Sequence, residues 1–160
     1  MVGDDGGPRW LDSTEMRAWR SYIVGSALLR QQLHSELSDR HNVALGDYEL
    51  LVLVSECADH RMRMAELAAG IGGSKSRVSH QVARMEKSGL LRRTTCPGDG
   101  RGVFAELTDA GLAKLVEAAP THVEGVRAHL VDLLDEQELA TLAAVFGRML
   151  DHLDRHGTAH

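Results

Sequence analysis

The sequence predicts a mostly α-helical chain interrupted once by a small β-hairpin. Three observations lead there. Hydrophobic residues make up 43% of the 160 positions and aromatics only 4%, so the core must be aliphatic, and Ala, Leu and Met are strong helix formers. Apolar residues recur at helical spacing in most of the chain. The period changes only around residues 91–108, where two short alternating runs flank a tip dense in turn residues.

Each element follows in order. Residues 1–12 are rich in Gly, Asp and Pro and read as a flexible arm. Asp12 followed three positions later by Glu15 resembles a capping box, so a long helix should start at 12 or 13. Its apolar stripe is Trp19, Tyr22/Ile23, Ala27, Leu29/Leu33 and Leu37, and it should end near Asn42. A second helix, 46–58, is apolar on most faces and should be central. A polar turn over 58–63 leads to a short helix, 64–71. The Gly72-Gly73 pair breaks it, and Ser74 is a suitable N-cap for a helix over 75–88. Gly89 suits the left-handed position that follows a helix.

Strands are expected at 91–95 and 103–108 around Cys-Pro-Gly-Asp-Gly-Arg-Gly. From Thr108 a long helix should run to Leu134, kinked at Pro120. A last helix over 135–152 buries Leu139, Leu142, Ala143, Phe146 and Leu150, and 154–160 form a flexible tail.

Charge locates the working surface. The whole chain carries −5. Residues 61–102 nevertheless hold nine basic and three acidic side chains, a net of +6, against nine basic and twenty acidic elsewhere, or −11. A basic island in an acidic chain is the footprint of a polyanion site. The order helix, glycine turn, helix, strand, tip, strand is that of a winged helix-turn-helix. Its second helix offers small polar and basic side chains that a major groove accepts.

Those residues carry a family resemblance. Met64-Ala-Glu-Leu-Ala, Ser74-Lys-Ser-Arg-Val-Ser, Val82-Ala-Arg-Met-Glu-Lys-Ser-Gly-Leu and the run from Asp99 to Gly111, with its D-x-R and L-T-x-x-G pieces, resemble the MarR family of bacterial winged helix-turn-helix regulators. Leu45-Gly-Asp-Tyr-Glu-Leu-Leu-Val-Leu is similar to that family's second helix. The resemblance covers about residues 13–153 as a single domain, with dimerisation helices at about 13–42 and 109–153 and the winged unit at about 46–108. It implies a homodimer, a repressor that binds a pseudo-palindromic operator in double-stranded DNA and is released by a small aromatic or phenolic effector. Cys57 and Cys96, which form no CxxC pair, point to a reduced, cytoplasmic compartment.

The expected DNA-binding residues are Arg63, Ser74, Lys75, Ser76, Arg77, Ser79, His80, Arg84, Arg92 and Arg101. Asp99 shapes the wing by pairing with Arg101, which the resemblance sends into the minor groove. Trp19, Tyr22 and Tyr48 are candidates to stack on an effector. Core packing is the plainer role for each.

Other readings compete. Cys96, near Arg92 and Arg93 in sequence, would make an oxidant sensor if the positive neighbours favour thiolate. A winged helix can also serve as a protein-interaction module without DNA, though such a module has no need of a basic island. The sequence contains no HExxH, P-loop or Rossmann glycine pattern, so no enzyme is expected, and no cofactor. His152, His156 and His160 are four apart, but a fraying end is a poor place to converge metal ligands. No signal peptide or membrane-spanning run is expected.

Overall fold

The computed structural model describes residues 7–71, 74–95 and 102–157, with side chains described as far as 154. Expectations that fall on Cys96, Asp99, Arg101, the Gly72-Gly73 pair, His160 or the side chain of His156 therefore lie outside what is described.

Helix α1 spans Ser13–His41. The Asp12 carboxylate accepts from the backbone N–H groups of Thr14 and Glu15, and the Glu15 carboxylate accepts from the N–H of Asp12. The reciprocal bonds satisfy donors that a helix start leaves unpaired. At the far end Asn42 adopts φ 53° and stops the helix. Helix α2 (Leu45–Ser55) is the central pillar. Leu50, Leu51 and Val54 are fully buried and meet Leu37 of α1.

Strand β1 (Arg61–Arg63) leads into α3 (Met64–Gly70), and α4 (Lys75–Lys87) packs on α3 through Val78, Val82 and Met85. Strands β2 (Leu91–Thr95) and β3 (Val103–Leu107) complete a three-stranded antiparallel sheet in the order β1-β3-β2. The expected hairpin is present. Strand β1 replaces part of the expected polar turn, because Arg61, Met62 and Arg63 pair with Glu106, Ala105 and Phe104 across 40 residues of chain that no local pattern records.

Helix α5 (Asp109–His129) continues through Pro120. Proline removes one donor to the carbonyl four residues back. That residue, Val116, lies on an exposed part of the helix, where water can take the bond. The helix ends at His129, short of the expected Leu134, and a 3-10 turn over Val131–Leu133 connects it to α6 (Glu136–Gly157).

The α1–α5 contact combines apolar and polar groups. Glycine at 125 lets the helices approach: a Cβ there would stand 2.7 Å from Leu33 Cδ2 and 2.5 Å from Glu36 Oε2. His41 bridges the same pair of helices, with Nε2 2.8 Å from the buried Thr121 hydroxyl and Nδ1 3.1 Å from Glu117.

The N-terminal half of α1 and all of α6 leave apolar residues open. Trp19, Tyr22, Ile23, Val24 and Leu28 on α1 are exposed, as are Val145, Met149, Leu150 and Leu153 on α6. Within the chain the two faces meet at Tyr22 and Phe146, whose ring centroids are 5.5 Å apart.

Candidate nucleic-acid interface

Helix α4 organises the surface. Ser74 caps it, its hydroxyl accepting from the N–H of Arg77 at 3.3 Å. With Val78, Val82 and Met85 facing the core, a rotation of about 100° per residue fixes where the others point. Ser76, His80 and Lys87 lie opposite the buried stripe and are exposed. Ser79 and Glu86 lie on the flank toward the sheet. Arg77, Gln81 and Arg84 lie on the flank toward α2.

Both flanks are tied down. On the sheet side, Arg93 donates from Nη2 to the carbonyl of Ser79 at 2.8 Å, while its Nε lies 3.2 Å from Glu86 and its backbone N–H donates to the same carboxylate. On the α2 side, Gln81 and Arg84 both reach Asp47.

A cavity of about 410 Å³ opens between β1, the start of α4 and the sheet, lined among others by Arg63, Lys75, Ser79 and Arg93. Lys75 and Arg93 beside one concavity suit a phosphate group. The Arg63 guanidinium itself lies over the ring of Phe104, 5.0 Å from its centroid, on the sheet face that the register gives to Glu106 and Arg92.

The structure therefore brings Ser74, Lys75, Ser76, Ser79 and His80 to one side of the molecule, sets Arg77 and Arg84 on its α2 edge, and leaves Arg63 at the end of β1 with its guanidinium over Phe104. Arg92 is placed differently. Strand alternation turns it to the outer sheet face, away from α4, where it pairs with Glu106. That hydrogen bond holds the Glu106 carboxyl below the usual carboxylate range and raises Arg92. Arg93, one residue on, faces α4. Lys87 and Arg93 are basic residues of this surface absent from the sequence-based set.

A second cavity, about 690 Å³, lies on the α2 side of α4 and is bounded by Arg30, Tyr48, Glu49, Arg77, Gln81 and His122, among others. Arg30 forms a bidentate pair with Glu49 at 2.7 and 2.9 Å, which raises Arg30. The rings of Tyr48 and His122 pack at a tilt of 42°, their centroids 4.6 Å apart. Burial raises the Tyr48 phenol and lowers the proton affinity of His122. The buried Nδ1 of His122 makes no hydrogen bond among the described residues.

Of the three aromatic candidates only Tyr48 lines this cavity. Trp19 and Tyr22 lie together on the open face of α1, 6.1 Å apart. Arg30, Glu49 and His122 come from three different helices, so nothing local in the sequence associates them. Among the described residues no three His, Cys, Asp or Glu side chains converge as a metal site, and no helix is long and apolar enough to cross a membrane.

Comparison with known proteins gives this surface a context. A family model described as MarR family matches residues 49–102, from α2 to the start of β3. AbsC, a MarR family transcriptional regulator from Streptomyces coelicolor, superposes with a TM-score of 0.87 and 43% identity over 92% of this chain and 99% of its own. Sco3205, a MarR family transcriptional regulator from the same organism solved in complex with DNA, gives 0.88 and 40% over 91% of this chain and 92% of its own. The regulator PecS of Dickeya dadantii is 26% identical over 128 residues, 79% of this chain and 76% of PecS. These relatives are regulators of transcription rather than enzymes. With its winged helix fold and its identity to AbsC over nearly the whole of both chains, the chain belongs to the MarR family of transcriptional regulators.

Proposed function

We propose that the chain is a cytoplasmic homodimeric repressor that reads a pseudo-palindromic DNA operator with α4 and the wing and is released by a small aromatic or phenolic effector. The observation that carries the DNA reading is the outward face of α4. Ser76, His80 and Lys87 stand in a row on a helix braced from beneath by α3 and gripped on both flanks. Such a face fits a major groove about 12 Å wide. Ser74, Lys75 and Arg93 are then placed for phosphates beside the groove, with Arg77 and Arg84 at its α2 edge. Arg101, with Asp99 orienting it, is assigned to the minor groove from the sequence alone. That the 40% identical Sco3205 was crystallised with DNA supports the same reading.

Dimerisation is supported by the open apolar faces of α1 and α6. Effector release is supported by the larger cavity, since an occupant there would touch both Arg30 and His122 of the long helices and Arg77 and Gln81 of α4.

The test is a titration of duplex DNA at two salt concentrations. Affinity should fall steeply with salt, with a slope of about −0.9 per phosphate neutralised. His80→Ala should weaken binding to a duplex selected from a random pool by about 1–3 kcal/mol, as expected for a lost base contact. Lys87→Ala should mainly flatten the salt slope, by about one unit. Binding that is indifferent to both salt and these substitutions would favour a winged helix that meets a protein instead.

A further inference from the structure

Asp47 stands in the first turn of α2, where an acidic side chain complements the helix dipole. That role alone does not explain its geometry. Its Oδ1 accepts from Gln81 Nε2 at 3.0 Å and from Arg84 Nη2 at 2.5 Å, residues one turn apart on α4. The carboxylate is largely buried, with 14% of its side chain exposed, whereas Arg84 is 63% exposed. The acid end of the pair is thus fixed and the guanidinium remains open on its outer side. Arginine has five N–H donors in a planar fork, of which the Asp47 contact engages Nη2 and leaves the others for a further partner.

A carboxylate at the edge of a DNA-facing helix repels phosphates, so it weakens binding to any duplex. It can improve discrimination between duplexes only by orienting its partners. Resting on the DNA reading above, we propose that Asp47 is a positioning residue for operator specificity: it holds Arg84, with Gln81 beside it, in the one orientation that fits the selected sequence. It touches no DNA itself and acts through Arg84.

The experiment compares a duplex selected by the parent from a random pool with a scrambled duplex of equal composition, at several salt concentrations. The proteins are the parent, Asp47→Asn, Arg84→Ala and the double variant. Asparagine keeps an acceptor for Gln81 and removes only the charge that grips Arg84. Asp47→Asn should bind the scrambled duplex at least as tightly as the parent, with a salt slope steeper by about one as Arg84 becomes free to meet a phosphate. Its preference for the selected duplex should drop about tenfold, the scale of one oriented base contact. In the Arg84→Ala background the same change should alter the preference by less than about twofold, since coupled residues are not additive.

A parallel loss on both duplexes, or an equal drop with and without Arg84, would overturn the proposal. If Asp47→Asn melts too early to assay, Arg84→Lys carries the test, because lysine keeps the charge without the planar fork. It should lose the preference with the slope unchanged, and a retained preference overturns the proposal. A parent that binds both duplexes alike would remove the DNA reading itself, and this inference with it.

Discussion

Gly111→Ala is expected to lower the melting temperature by roughly 10 °C, on the order of 3 kcal/mol for a chain of this size. Gly111 lies in the first turn of α5, just after the sheet. A Cβ there would stand 2.1 Å from the carbonyl oxygen of Leu90 and 2.8 Å from Leu107 Cδ1. The oxygen is backbone and cannot rotate away. It accepts from the N–H of Thr108 at 3.2 Å, which docks the start of α5 on the turn between α4 and β2. The Thr108 hydroxyl reinforces that joint, lying 2.6 Å from the Gly89 carbonyl and accepting from the N–H of Gly111 at 2.9 Å. Any methyl at position 111 must push α5 off the winged unit. Thr108→Ala removes the cap without adding volume, so its cost should be smaller, about 1 kcal/mol. Thermal melts of the two variants decide the matter. A Gly111→Ala protein that melts within a degree or two of the parent would mean that this joint yields easily.

This joint also accounts for the L-T-x-x-G pattern in the sequence. The threonine caps the helix and the glycine clears the carbonyl beneath it. Other features were equally legible where the cause is local. Asp12 and Glu15 announce the start of α1, Asn42 its end, and the spacing of Val78, Val82 and Met85 the buried side of α4. What escaped the sequence depends on partners far along the chain. Three residues of β1 are too few to show a period and become a strand only against β3. Alternation says that Arg92 and Arg93 point to opposite faces of β2. Only the packing of the sheet on α4 decides that Arg93 is the one beside Ser79. Asp47 and Arg84 are 37 residues apart, and Arg30 and Glu49 are 19 apart. A helix end is similarly obscured when apolar residues run on beyond it: Leu130, Val131, Leu133 and Leu134 continue the hydrophobic pattern of α5 past its end at His129.

The largest effect on binding is expected from charge placed on the open face of α6. Leu150 and Leu153 are 58% and 55% exposed in the single chain, so replacing both with glutamate removes little from the chain's own core. Isolated exposed leucines are ordinary, but these continue a stripe through Leu142, Phe146 and Met149, and α1 adds Trp19, Ile23 and Leu28. Contiguous apolar surface of this kind marks an interface. If a second copy covers it, two glutamates must be desolvated there without partners, at a cost of several kcal/mol. The double variant should then run as a monomer in sedimentation while its helical circular dichroism is retained. Each freed winged unit can still meet one half-site, but the second contact is no longer intramolecular. Linking two sites commonly contributes about 10²–10⁴ in apparent affinity, so binding to a full operator should fall by about that factor. Binding to an isolated half-site should hardly change. Half-sites spaced about one helical turn apart, roughly 34–36 Å, should show the effect most strongly. A double variant that remains dimeric would place the subunit contact elsewhere. A monomer that binds the full operator as tightly as the parent would show that one winged unit supplies all of the affinity.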